Sequence, residues 1–231
     1  MRTEEFFEGL EISEEDKARA QKAIYAKGIE KHILIKEYLL NWKESGCIKY
    51  SEIATTYRYD KRIRNVFYKY ISYLEEFFRA NILDAFYNNT NQDFWITKIE
   101  ILFKRTNQNL NDTLELLEFS DLLKQMKKLP EEIKDRCVFV KAYLQQNIDA
   151  LIVLRNAVMH NKFLVLYKGF AFCYLDSKKN AGLKANALNL ANFLPEGVRK
   201  QFIIDINDCR KKRNNDGKTK WDLPTQVTVV L

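Results

Sequence analysis

Turn-forming residues are scarce in this chain: its 231 residues include three prolines and seven glycines. That composition argues against a β-sandwich or barrel built on many tight turns, and for long helices. Histidine is scarcer still, with only His32 and His160. The four cysteines, Cys47, Cys137, Cys173 and Cys209, stand far apart and form no Cys-x-x-Cys pair. A zinc site is therefore not expected, and reduced structural thiols in a cytoplasmic protein are the simplest account. No apolar run approaches the roughly 20 residues that a membrane helix needs. Met1 to Leu10 carry acids and lack the apolar stretch of a signal peptide. No cluster of carboxylates, histidines or cysteines suggests a catalytic metal, and no cofactor is expected. Internal repeats and low-complexity linkers are also missing, which favours one helical domain over residues 1–231.

What is there is a chain able to bury a core. Hydrophobic residues make up 46%, and 12 Tyr and 15 Phe supply rings for the interior or for stacking on bases. The net charge is +7 and the pI about 9.1, a balance that suits a polyanionic partner. The sharpest basic feature is Arg210-Lys211-Lys212-Arg213. It reads equally as a phosphate-contacting patch and as a solvated helix end, where cations suit the helix dipole.

Ser13-Glu14-Glu15-Asp16 is a helix start, with a hydroxyl cap and acids in the first turn. The spacing predicts a helix from there to about Trp42, with Gly28 an interruption inside it and Gly46 a break after it. A second helix is predicted from Asp60 to Asn88. Its apolar positions Ile63, Phe67, Tyr70, Ile71, Leu74, Phe78, Ile82 and Phe86 step by three or four. The run from Asn88 to Asn91 ends it. Helical segments follow over 93–107 and 111–128, the latter with a bend near Ser120. Pro130 opens another helix, which carries Val138, Leu144, Ile148, Leu151, Ile152 and Met159. The stretch from Phe163 to Leu175 reads as a β-hairpin turning at Lys168-Gly169. Helices return over 184–192 and from Pro195 to about Asn214, before a short β-prone tail from Thr225 to Leu231. Residues 1–50 form an N-terminal helical extension in this division, and 60–215 a core.

Chemistry concentrates at Arg155-Asn156-Ala157-Val158-Met159-His160, where an apolar helix ends. Arginine grips phosphate with two prongs, and histidine titrates nearest neutral pH. His160 could take the proton of a ribose 2′-OH or protonate a leaving 5′ oxygen. Arg155 could stabilise charge on the phosphoryl oxygens, and Asn156, one turn from His160, could orient the imidazole. The adjacent 2′-OH as nucleophile makes this a reaction of RNA. Spacing is the difficulty, since five residues put Arg155 and His160 about 140° apart around a helix. Either the helix unwinds near Met159, or two copies of it face each other in a symmetric dimer. The same residues also suit a plain helix end, with Arg155 in a salt bridge and His160 capping carbonyls. Arg64-Asn65 repeats the opening pair without a histidine. His32 reads as an ordinary surface or boundary residue.

The segment from Leu154 to Asn161 resembles the Arg-x4–6-His motif, often Arg-Asn-x3-His, of HEPN-domain proteins. Upstream, Tyr70-Ile71-Ser72-Tyr73-Leu74-Glu75-Glu76-Phe77-Phe78-Arg79 resembles the Leu-Glu-x3-Arg helix of the Abi-like (abortive infection, AbiD/AbiF-type) family. Phe119-Ser120-Asp121-Leu122-Leu123, followed by the Pro130 helix into Leu154-Arg155-Asn156, keeps that family's order. The resemblance covers about residues 10–170. It implies an all-α HEPN-type bundle, motif helices paired across a homodimer, and metal-independent RNA cleavage. Members are linked to phage defence, where cleavage arrests the infected cell, or act as toxins; some are held in check by an antitoxin RNA or protein. Carried onto this chain, the catalytic residues are Arg155 and His160 with Asn156 assisting. Apart from the resemblance, Lys162, beside the motif, and Arg210 to Arg213, by their charge, are candidates for substrate contact. Glu75 and Arg79 match the family helix and are expected to brace the motif as an ion pair. After the motif this chain has Asn161-Lys162-Phe163, where many members have a second histidine or an aromatic run. The alternative within the same resemblance is a HEPN-like module that binds RNA or protein and cuts nothing.

Overall fold

A computed structural model describes residues 3–42, 47–88, 95–137, 142–212 and 220–231. The chain opens with α1 (Thr3–Phe7), β1 (Leu10–Glu11), α2 (Glu14–Lys27), α3 (Glu30–Trp42) and β2 (Ile48–Lys49). The Ser13 hydroxyl accepts the Asp16 amide at 3.2 Å and so caps α2. The single helix expected from Ser13 to Trp42 is two helices. Gly28 takes φ 81°, a value that disfavours any residue with a Cβ, and the chain turns there before α3 begins. Gly46 lies outside the described residues. Strands β1 and β2 pair in parallel, Leu10 opposite Ile48.

The axis of the molecule is α4 (Tyr50–Asn88), 39 residues and about 58 Å long. Of the predicted stripe, Ile63, Phe67, Tyr70, Ile71, Leu74, Phe78 and Ile82 are buried, and Phe86 is half-buried against the core. The helix starts ten residues before the predicted Asp60. Its first turns bury Thr55 and Thr56 among Ile53 and Tyr59, so polar residues interrupt the apolar pattern; the Thr56 hydroxyl satisfies itself on Glu52 O at 2.8 Å. α4 runs unbroken through residues 50–60, the stretch between the expected extension and the expected core. Phe6, Phe7, Ile24, Ile35, Ile48 and Ile53 form a cluster with Phe163, distinct from the main core. Tyr38, Val165 and Leu166 touch both clusters.

Next come α5 (Thr97–Arg105), α6 (Leu110–Glu115) and α7 (Phe119–Lys128). The bend expected near Ser120 falls just earlier, between α6 and α7. Pro130 precedes α8 (Glu131–Cys137), its carbonyl accepting the Ile133 and Lys134 amides. The helix predicted to run on to the motif instead restarts as α9 (Leu144–Met159), after Tyr143 in a left-handed conformation with φ 56°. Val138 lies outside the described residues.

The hairpin is present but displaced. Residues 164–166 form a short 3₁₀ turn, because Leu164 is fully buried and the Val165 amide donates to the Asp60 carboxylate at 3.1 Å rather than to a strand. The hairpin proper is β3 (Cys173–Leu175) antiparallel to β4 (Lys178–Asn180). Its turn is Asp176-Ser177, both at positive φ, the two-residue geometry that matches strand twist. Two helices close the bundle, α10 (Leu183–Ala191) and α11 (Glu196–Asp208). The predicted run to Asn214 stops at Asp208. Beyond it, the Cys209 and Lys211 carbonyls accept from Arg62 and the Arg210 carbonyl from Trp221 Nε1, so they are taken by side chains. The tail forms no strand; Val227 and Val229 are buried, and the Val229 amide donates to the Tyr59 hydroxyl at 2.7 Å.

The fold is thus all-α with a small antiparallel hairpin. None of the four cysteines is in a disulfide, and burial pushes the Cys137 thiol up to about 12. No described helix is long and apolar enough to cross a membrane.

Candidate functional site

The motif sits on the last turns of α9. Leu151, Leu154, Ala157 and Val158 are buried, which fixes the helix rotation and leaves Asn156 and His160 exposed. The helix does not unwind near Met159. The His160 amide still donates to Asn156 O at 3.0 Å. Asn161 then adopts φ 53°, its amide bonding to Val158 O at 3.1 Å, while the Lys162 amide reaches Ala157 O at 2.9 Å. These two bonds are a Schellman cap, with asparagine in place of the more usual glycine.

Two groups of α4 side chains hold this helix. Toward its middle, Glu75 lies between two arginines: Arg155 Nε is 3.5 Å and Arg79 Nη2 3.8 Å from its carboxylate oxygens. The Glu75 side chain is 19% exposed, Arg79 27% and Arg155 31%, so the cluster is half-buried. Arg79 Nε also donates to Leu114 O at 3.3 Å, tying α6 to the same brace. The expected Glu75–Arg79 pair is therefore present and extends to Arg155. The contact is loose, since neither Arg155 Nε nor Glu75 Oε1 makes a well-formed hydrogen bond.

At the cap the holding residues are ones that no sequence motif marks. Arg64 Nη1 donates to the Asn161 side-chain oxygen at 3.1 Å and to its carbonyl at 3.3 Å. Lys31 Nζ reaches the same carbonyl at 3.4 Å. Arg64 Nη2 pairs with Asp60 at 3.1 Å, and Asp60 is fully buried. Burial pushes the Asp60 carboxyl up to about 6, against the Arg64 charge and the amides it accepts from Val165 and Leu164. Arg64, whose Arg64-Asn65 pair in sequence only repeats the opening of Arg155-Asn156, is thus the clamp on the end of α9. The available signal was Asp60 four residues before Arg64, an ion-pair spacing inside an apolar stripe.

Arg155 and His160 are not brought together within one chain. Helical geometry runs through both, so they remain about 140° apart around α9. Arg155 turns to Glu75, while His160 and Lys162 are exposed at the cap. Nor does the basic run join them. Arg62 holds the end of α11 and Arg64 holds Asn161, and two residues apart on α4 means roughly 200° around its axis. Arg210, Lys211 and Lys212 are exposed on that other side, with Lys211 paired to Asp208 at 2.5 Å. Arg213 lies outside the described residues.

His32 is not at the surface: it is 2% exposed, between Tyr57 at 5.2 Å and Tyr50 at 6.5 Å, both rings nearly parallel to it. Its Nδ1 lies 3.0 Å from Gly28 O and so carries the proton. Burial lowers its pKa below the usual histidine value. Among the described residues no three His, Cys, Asp or Glu side chains gather as a metal site would need. Compared with known proteins, the chain matches no family model, no curated protein and no solved structure.

Proposed function

We propose that this protein is a metal-independent endoribonuclease of the Abi-like HEPN type, acting in the cytoplasm in phage defence or as the toxin of a toxin–antitoxin pair. The observation that carries the reading is the placement of Arg155-Asn156-x3-His160. An exposed histidine and asparagine occupy the rim of a rigidly capped helix, with a half-buried arginine one face away. A two-fold dimer that pairs α9 with its copy would put the Arg155 of one chain beside the His160 of the other. In that cleft His160 takes the proton of the 2′-OH or gives one to the leaving 5′ oxygen, Arg155 neutralises the phosphorane charge, and Asn156 orients the ring. Cleavage of a uniformly labelled RNA in the presence of EDTA tests this. The product should end in a 2′,3′-cyclic phosphate, and a single 2′-deoxy substitution at the cut site should stop the reaction. Cleavage of an all-deoxy strand or a requirement for magnesium would reject it.

One observation favours a second reading. Arg155 already faces Glu75, and an arginine held by a carboxylate can serve purely to fix a helix. The chain would then be a HEPN-like module that binds RNA or protein without cutting. Full RNA affinity with no cleavage by the wild type would select it.

A further inference from the structure

A cavity of about 840 Å³ opens between α2, the start of α4 and residues 220–222, away from the motif. Its size falls in the range of roughly 300–1,000 Å³ typical of small-molecule sites. Its charges do not balance. Of its carboxylates, Glu11 is met by Lys49 at 4.0 Å and Asp16 by Lys220 at 3.2 Å and Arg19 at 3.7 Å. Asp222 accepts from the Ser51 hydroxyl. Two lining cations have no carboxylate among the described residues. Arg58 is half-buried and, among the described residues, spends only its Nε, on Ala54 O at 3.0 Å, leaving the two-pronged end of the guanidinium facing no acceptor among them. Lys27 is exposed and also lines the cavity, its ammonium 5.1 Å from the Tyr57 ring centre. Loss of water lowers the pKa of both, and the Arg58 charge lowers that of Lys27 further, so the two cations repel each other across one open volume.

A protein does not ordinarily gather two cations that meet no carboxylate at a partly apolar cavity unless an anion belongs there. Two cations match the charge of a phosphomonoester, about −1.5 to −2 at neutral pH. Arg58 offers a fork for two of its oxygens and Lys27 a point charge for the third. Ile12, Ala20, Ala23 and Ala54 line the cavity beside them and suit a sugar or base. We infer that this cavity binds a small phosphomonoester, a nucleotide or sugar phosphate, with Arg58 and Lys27 as its phosphate ligands. The site uses neither Arg155 nor His160 and stands whether or not the protein cleaves RNA.

Isothermal titration of the full chain with adenosine 5′-monophosphate, ribose 5-phosphate, adenosine and inorganic phosphate tests it. At least one ester should bind, and adenosine and inorganic phosphate should bind more weakly than that ester. Binding of both esters identifies a sugar phosphate as sufficient; binding of the nucleotide alone shows that the base is read. Arg58→Met and Lys27→Met should each weaken the ester by about tenfold or more, the effect of losing a charge-assisted hydrogen bond. Neither should lower the melting temperature of the ligand-free protein by more than a degree or two, roughly the loss of one weak contact, because each removes a charge that meets no carboxylate among the described residues. Lys27 is exposed, so its variant keeps the test usable if Arg58→Met folds poorly. No binding of either ester at millimolar concentration, adenosine or inorganic phosphate matching them, or esters bound undiminished by both variants would overturn the assignment.

Discussion

Asp60 shows how a single residue can be decisive at the site without belonging to its chemistry. It is fully buried, it anchors Arg64, and through Arg64 it fixes the cap on which His160 stands. Its folded pKa, about 6, lies above its ordinary 3.8. The folded state therefore holds the extra proton between those values, and stability falls as pH rises through that window. Wild type should lose stability relative to Asp60→Asn on going from pH 4 to pH 7, by at most about 3 kcal/mol, in urea titrations at each pH. A wild type that gains on the variant over the same range would show that Arg64, not burial, governs this carboxylate. Glu75 is a different case: half-buried and shared by two arginines, it spreads its charge over a surface-facing brace.

At the scale of elements, the cap of α9 is the part most open to a local test. Asn161 is left-handed, which costs an ordinary residue roughly 1–2 kcal/mol, and its side chain also receives Arg64. Asn161→Ala should destabilise the fold by about 2 kcal/mol in chemical denaturation, and Asn161→Gly by less, since glycine keeps the conformation and gives up only the bond from Arg64. Equal losses would place the energy in the Arg64 bond alone. The elements most legible in sequence were those whose burial is strictly periodic, such as α4 from Ile63 to Ile82, or marked by a cap, such as Ser13 and Pro130. The misread ones share a cause. The start of α4 hides behind Thr55 and Thr56, and the apolar run from Phe163 to Tyr167 resembles a strand but is spent on two cores. Arg64 and Lys31 could not be read as partners of Asn161 because those bonds join positions 97 and 130 residues apart. Of the brace, the i,i+4 pair Glu75–Arg79 was visible in sequence; its partner across helices, Arg155, comes from packing.

For the whole molecule, charge and symmetry carry the account. Arg210 and Lys212 are exposed, whereas Lys211 is paired. If that surface meets RNA, log affinity should fall linearly with log salt. Replacing Arg210 and Lys212 with alanine should then reduce the slope by about 2, one for each phosphate no longer neutralised. Affinity that stays flat from low to physiological salt would remove charge as the basis of binding. The central claim is that Arg155 of one chain and His160 of its copy form one catalytic unit. Arg155→Ala and His160→Ala should each abolish cleavage, and the double variant should be little worse than either. The most direct measurement is RNA cleavage by the two inactive single variants mixed and allowed to exchange subunits, with light scattering to confirm a dimer. A hybrid dimer retains one Arg155 and one His160 that face each other, so the mixture should regain activity that neither variant has, up to about a quarter of wild type if half the dimers are hybrids carrying one intact site of two. A mixture that forms hybrid dimers yet stays inactive, a monomer at micromolar concentration, or full cleavage by His160→Ala would contradict it.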